Sequence, residues 1–217
     1  MISIKSDREI ELLRIAGNIV YQTHQYLKDF IKPGITTGEL DRLAEEFIIS
    51  KDATPSFKGY EGFPASICTS VNHQVVHGIP GKLKLKKGDI ISIDIGACYK
   101  GYHGDSAWTY PVGDISKDKE YLLEHTEKSL FMGLAEIKPG NKIGDISYAI
   151  ESYATEYGLG VVKELVGHGV GTSVHEDPDV PNFGEKGTGP RLKKGMVIAV
   201  EPMLNLGSPN IVMLDDD

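Results

Sequence analysis

The chain has 217 residues, enough to bury one substantial core, and its 40% hydrophobic and 25% charged residues are those of an ordinary globular protein. Its formal net charge of −8 excludes a general binder of nucleic acid or anionic membranes, because counterion release needs clustered Lys and Arg that this balance does not supply. Two cysteines, Cys68 and Cys98, are too few for a disulfide framework, the N-terminus lacks a signal-peptide core, and no apolar run approaches the roughly 20 residues of a membrane span, so one domain in a reducing cytoplasm is expected.

From Ser6 to about Phe30, Ile10, Leu13, Ala16, Val20 and Leu27 fall at helical spacing after a Ser6-Asp7 start signal. Lys32-Pro33-Gly34 ends this helix. Thr36, with Glu39 three residues on, has capping-box spacing and opens a second helix that carries Leu40, Leu43, Phe47 and Ile48. The loop over 54–64 then presents Phe57, Tyr60 and Phe63, which either cap a core edge or line an apolar pocket. It feeds a strand over 65–71 bearing Cys68. After an Asn72-His73 turn, a second apolar segment holds His77 immediately before Gly78.

Alternation over Ile90–Ile95, turn chemistry at Tyr99-Lys100-Gly101 and a second run to Trp108-Thr109 predict a β-hairpin. A turn centred between Tyr99 and Lys100 sets Asp94 directly opposite Asp105. Opposed carboxylates, with Cβ atoms about 4.5–5.5 Å apart, destabilise a sheet unless neutralised, and a bound cation would do that. The alternative is that both are solvated rim residues.

A third helix is expected over Lys117–Ile137, with Leu122, Leu123, Leu130 and Leu134 among its apolar positions, and it too ends in Lys-Pro-Gly. The stretch 32–38 recurs 106 residues later at 138–144, and 85–94 recurs 107 residues later at 192–201, which maps Asp94 onto Glu201. Two matches at nearly one offset point to an internal duplication with halves of about 1–110 and 111–217. Related by a pseudo-two-fold axis, such halves would bring Asp94 and Glu201 together between them. In the second half a strand over 161–166 leads into Gly167-His168-Gly169-Val170-Gly171, whose glycines leave the His168 imidazole unshielded. His175 follows where strand gives way to turn. A buried strand over 196–200 ends in Glu201-Pro202, and a carboxylate there is costly unless it meets a cation or a donor.

In order and spacing, Val76-His77-Gly78-Ile79-Pro80, Ile93-Asp94-Ile95-Gly96, Gly104-Asp105, Gly167-His168-Gly169-Val170-Gly171, His175-Glu176 and Val200-Glu201-Pro202 resemble the bacterial type I methionine aminopeptidases along the whole chain. The resemblance implies a duplicated α+β, pseudo-two-fold pita-bread (creatinase/aminopeptidase) fold, one catalytic domain over 1–217. It implies metal-dependent removal of the N-terminal methionine from nascent proteins and peptides whose second residue is small. Two divalent ions, cobalt, manganese, iron or zinc, would be held by Asp94, Asp105, His168 and Glu201, with Asp105 bridging. Glu201 would also shuttle the proton of the attacking water. His175 would contact the scissile carbonyl, His77 would hydrogen-bond the departing peptide, and Phe57, Tyr60, Phe63 and Cys68 would line the methionine pocket. His103, on the Asp105 side of the hairpin, receives no role.

The implied partner is a peptide or nascent-protein N-terminus met by a cytoplasmic monomer. Transient ribosome contact would run through the lysines at 82–87 and 193–194, with no DNA and no membrane involved. A proline-directed peptidase of the same fold and a non-enzymatic binder that kept the fold are the other readings. The resemblance also implies a fifth ligand, a Glu on a C-terminal strand beyond Leu214, whereas the sequence stops at Asp217. The expectation is therefore a missing C-terminal strand, a weakened second metal and impaired activity in this chain.

Overall fold

The computed structural model describes Met1–Leu214; Asp215–Asp217, on which the expectation about the chain's end bears, lie outside the described residues. The elements run α1 (Asp7–Lys28), α2 (Thr37–Ile49), β1 (Thr54–Pro55), β2 (Ile67–Val71), β3 (Ile90–Tyr99), β4 (Tyr102–Pro111), α3 (Lys117–Leu134), α4 (Ile143–Glu156), β5 (Leu159–Val161), β6 (Gly167–Gly169), β7 (Glu176–Val180) and β8 (Leu204–Leu206). They form two compact units. The first is Asp7–Ser116 with Gly171–Val174, and the second is Met1–Ser6 with Lys117–Val170 and the described residues from His175 on.

In the first unit β3 is the central strand, paired antiparallel with β4 along its whole length and with β2 and β1 over successive stretches of its other edge. Successive side chains leave opposite faces of a strand. Ile91, Ile93, Ile95 and Ala97 therefore share one face, where all four are fully buried against Val20 and Leu27 of α1 and Leu40 and Ile48 of α2. Each such isoleucine contributes about 1.5–3 kcal/mol by leaving water. The close approach of α1 depends on Gly104 of β4, because a Cβ there would lie 2.5 Å from the Gly17 nitrogen. Thr36 caps α2 as expected, its hydroxyl accepting from the Glu39 N–H at 3.1 Å.

His24 on α1 ties that helix to β4. Its Nε2 donates to the Ser106 carbonyl at 2.9 Å, so its Nδ1 accepts from the Tyr110 hydroxyl at 3.0 Å. Burial holds the imidazole below its ordinary pKa and pushes the Tyr110 phenol up to about 12.

In the second unit α3 and α4 pack with two short ladders, β5 with β8 and β6 with β7. Helix α3 stops at Leu134 rather than Ile137. Its last turn tightens to bonds from Glu136 N–H to Gly133 and from Ile137 N–H to Leu134, both 3.0 Å, ahead of Pro139. It buries His125, Ser129 and Gly133, while Leu122, Leu123 and Leu130 are only half-buried. Small residues win because α4 lies close: a Cβ on Gly133 would sit 2.8 Å from Ile150 Cδ1. The expected strand over 161–166 is interrupted, since β5 ends at Val161 and β6 starts at Gly167. Residues 196–200 are likewise not a regular strand; they bond to β6 through one bridge, Gly169 with Ile198, and an Ala199 N–H to His168 carbonyl bond of 2.7 Å.

One bonding pattern occurs in both units. Gly38 N–H donates to Gly81 at 2.8 Å, Thr37 to Leu83 at 3.0 Å and Leu85 to Ile35 at 2.9 Å. At positions 106 or 107 residues on, Gly144 donates to Thr188 at 3.0 Å, Ile143 to Pro190 at 2.9 Å and Leu192 to Asn141 at 2.9 Å. Gly88 and Gly195, in the two copies of Lys-Lys-Gly, adopt left-handed φ of 93° and 91°.

Candidate functional site

The hairpin turn is Lys100-Gly101, with φ of 50° and 82°. A two-residue loop whose twist suits the strands needs positive φ at both central positions, and glycine accepts the second readily, which excludes a turn centred on Tyr99-Lys100. The register therefore differs from the one expected. Asp94 faces Ala107, and Asp105 faces Gly96. The carboxylates are diagonal neighbours on one face rather than directly opposed, at a backbone spacing of about 7–8 Å for such positions. Their repulsion is weaker than direct opposition implies, so strand geometry by itself asks less insistently for a cation.

That face is the one turned away from α1 and α2, and it also carries an apolar cluster. Cys68 on β2 lies opposite Asp94. The Phe57 ring lies over Gly96, where a Cβ would be 2.6 Å from its Cε1. Phe57 and Cys68 are buried together with Val174, and Tyr60 and Phe63 pack against them half-buried. All four expected pocket residues are thus gathered, and Val174 is one that sequence reasoning missed. The available signal was a lone apolar residue closing the small and polar run Gly171-Thr172-Ser173 just before His175.

His77 is exposed and has φ of 57°, a left-handed conformation unusual for a residue with a side chain. Gly78 holds it there: the Gly78 carbonyl accepts from Thr69 N–H at 2.7 Å, and a Cβ on Gly78 would lie 2.2 Å from the Thr69 carbonyl oxygen.

In the second unit His168 sits mid-β6 between two glycines that allow close flanking. A Cβ on Gly167 would lie 2.4 Å from the Ala199 carbonyl oxygen, and one on Gly169 2.2 Å from that of Asp177. The His168 Nδ1 is 2.8 Å from the Gly169 carbonyl, which can only accept, so Nδ1 carries a proton. The other nitrogen, Nε2, lies 3.4 Å from Glu201 Oε1. An imidazole lone pair and a carboxylate oxygen facing one another call for a proton or a metal ion between them, and Nδ1–H bonded to a carbonyl is the tautomer that metal-ligating histidines use. The His175 ring meets that of His168 edge-on at 4.1 Å. Beside it, Lys5 donates from its ammonium to Glu176 and from its backbone N–H to the Gly195 carbonyl at 2.7 Å, while the Met1 amine bonds Asp177. The N-terminal segment is thereby strapped to β7.

Among the described residues no group of three or more His, Cys, Asp or Glu side chains is drawn together tightly enough to make a metal site. Asp94 and Asp105 share one face of the hairpin, and His168 Nε2 lies against Glu201 Oε1. By chemistry the set fits divalent metal: three hard carboxylates, and one imidazole with its outer nitrogen already bonded. No helix among the described residues is long and apolar enough to cross a membrane.

The model of metallopeptidase family M24 matches residues 11–217. Methionine aminopeptidase 1 of Bacillus subtilis is 58% identical over 217 residues, which is all of this chain and 88% of that protein. The crystal structure of methionine aminopeptidase from Rickettsia prowazekii superposes with a TM-score of 0.97 at 40% identity, over 99% of this chain and 87% of that one. An Xaa-Pro dipeptidase from Bacillus anthracis aligns with a TM-score of 0.80 at 28% identity, over 94% of this chain and 56% of its own.

Proposed function

The chain belongs to metallopeptidase family M24 and has the pita-bread fold common to methionine aminopeptidases and prolidases, and from that premise we propose that it is a methionine aminopeptidase. It would hydrolyse the first peptide bond of peptides and nascent proteins that begin with methionine followed by a small residue. The observation that carries this reading is the apolar cluster of Phe57, Cys68 and Val174 on the same sheet face as Asp94. An unbranched thioether side chain fits a pocket lined by aromatic rings and a thiol.

Asp94, Asp105, His168 and Glu201 are the proposed ligands of two divalent ions in one catalytic domain over 1–217. Cobalt, manganese, iron and zinc all suit an oxygen-rich set with one imidazole. When bound, such ions supply Lewis acidity to a water and to the scissile carbonyl, bringing the pKa of that water to roughly 7. The chain's own groups do the rest. Glu201 accepts the proton of the attacking water and returns it to the departing amine nitrogen. His175 donates to the scissile carbonyl oxygen as negative charge develops there. His77, fixed in its left-handed conformation, hydrogen-bonds the departing peptide, while Phe57, Tyr60, Phe63, Cys68 and Val174 enclose the methionine. The enzyme is proposed to act as a cytoplasmic monomer with transient ribosome contact through the lysines at 82–87 and 193–194.

The test is release of methionine from Met-Ala-Ser at saturating Mn(II) or Co(II), beside Met-Ile-Ser, Met-Pro and Ala-Pro peptides. Metal-dependent cleavage of Met-Ala-Ser with Met-Ile-Ser spared is expected. Preference for Ala-Pro would replace the reading with a proline-directed peptidase, and metal-independent peptide binding without turnover would replace it with a binding protein.

A further inference from the structure

We propose that His103 is a positioning residue for methionine selectivity, holding both walls of the apolar pocket against the hairpin. The inference rests on the pocket assignment above, and its experiment has a readout that does not need turnover.

His103 lies opposite Cys98, so its side chain shares the sheet face of Asp94, Gly96 and Asp105. Its Nδ1 is 2.9 Å from the Ser56 hydroxyl, and its backbone N–H donates to the Gly171 carbonyl at 2.9 Å. These two bonds reach different walls. Ser56 immediately precedes Phe57, and Gly171 opens the four-residue stretch that ends in Val174, with a Gly171 N–H to Ser173 carbonyl bond of 3.2 Å keeping that stretch tight. Phe57, Cys68 and Val174 are 9%, 5% and 3% exposed, so the pocket floor is closed only while the two walls meet over it.

The aromatic wall needs such an anchor. The ladder that ties it to the sheet, β1, is two residues long and stops at Pro55. Beyond it the backbone contributes a Ser56 N–H to Gly96 carbonyl bond of 2.9 Å, and from there the chain runs through a loop and a single 3-10 turn, Tyr60–Gly62, before β2 begins. Segments with so few ladder bonds open locally at low cost. The His103 side chain clamps this segment where the ladder ends. Gly96 completes the device, because any side chain there would collide with the Phe57 ring and with Ser56 Cβ, 2.7 Å away.

The readout is alkylation of Cys68 by iodoacetamide in the metal-free chain, in a Cys98→Ser background that removes the second thiol. His103→Ala is expected to raise the Cys68 rate about five- to tenfold, the factor that one hydrogen bond's net contribution sets. His103→Asn, whose amide occupies the place of Nδ1, should restore the slow rate. Ser56→Ala should reproduce the effect from the other side of the bond, and adding His103→Ala to it should raise the rate little further; this arm serves if His103→Ala alone does not fold. With Met-Ala-Ser, His103→Ala should raise KM about tenfold and leave kcat within about threefold, with metal stoichiometry unchanged. Unchanged Cys68 reactivity in a folded His103→Ala or Ser56→Ala chain overturns the proposal, as does a fall in kcat at constant KM. A parent chain that hydrolyses no methionyl peptide overturns the function instead, while the alkylation rates still decide what His103 does.

Discussion

Replacing Lys5 by methionine removes one charge from a pair that is almost out of water: the Lys5 side chain is 4% exposed and that of Glu176 16%. Methionine keeps most of the length of the stem. The Lys5 N–H to Gly195 bond is a backbone contact and survives the substitution. What is lost is the cation facing a largely buried carboxylate, and truncating one partner of a buried pair costs about 3–5 kcal/mol, the lower end applying where one partner keeps some solvent. In a chain of this size each kcal/mol moves the melting temperature by about 2–4 °C, so Lys5→Met should melt about 6–20 °C lower. The second substitution, Glu176→Gln in the Lys5→Met background, removes the carboxylate's charge as well and should recover much of the loss. Because the pair is buried, the deficit should persist in 1 M salt, where exposed charges are screened beyond about 3 Å. Differential scanning calorimetry of the parent, the single and the double variant is the assay. A Lys5→Met chain that melts within about 2 °C of the parent, or a double variant no more stable than the single one, would refute the assignment of Lys5 as a buried strap.

Gly104→Ala puts a methyl group 2.5 Å from the Gly17 nitrogen and 2.6 Å from the Ala16 carbonyl carbon, both backbone atoms, so α1 must move; a loss of about 1–3 kcal/mol in urea denaturation is expected. For His24, burial lowers the pKa in the fold, so the unfolded chain binds more protons at acid pH. Its contribution is complete above the ordinary imidazole value of 6.5 and is lost as pH falls below it. The difference in urea midpoint between parent and His24→Gln should therefore shrink from pH 7.5 to pH 5, and a constant difference would contradict the buried neutral imidazole. Asp94→Ala should abolish tight divalent-metal binding measured by calorimetry, and unchanged stoichiometry and affinity would remove Asp94 from the ligand set.

The helices were legible because their signals are local. Thr36 and Glu39 mark the start of α2 through a bond spanning three residues, and the spacing of Leu13, Ala16, Val20 and Leu27 names the buried stripe of α1. The hairpin was legible as an element but not in register, because register turns on which two residues take positive φ, and Tyr99-Lys100-Gly101 offers two choices that differ by one position at the turn. That small ambiguity moved Asp105 from opposite Asp94 to opposite Gly96. Strand lengths in the second unit were misjudged for a related reason: Val161–Val166 has strand composition, but which residues join a ladder is decided by partners far along the chain. Val174 escaped notice because its neighbours in the cluster, Phe57 and Cys68, are more than a hundred residues away. The pairing of His168 with Glu201 was reachable by resemblance, whereas the tautomer that makes the pairing chemically meaningful needed the Gly169 carbonyl in place.

The two faces of β3 also bear on how this protein can change over generations. Ile91, Ile93, Ile95 and Ala97 answer to packing, while Ser92, Asp94, Gly96 and Cys98 point to the other side and answer to whatever happens there. Selection for stability and selection for chemistry thus act on interleaved letters of a single ten-residue word. A library that randomises Ile90–Tyr99 and sorts survivors once for folding and once for methionine release should return two stripes of intolerance, each of period two and out of phase by one residue. Drift on the isoleucine stripe can be repaired by a compensating change in α1 or α2. The stripe through Asp94 faces the cluster of Phe57, Cys68 and Val174 instead, so its variants change the site rather than the core.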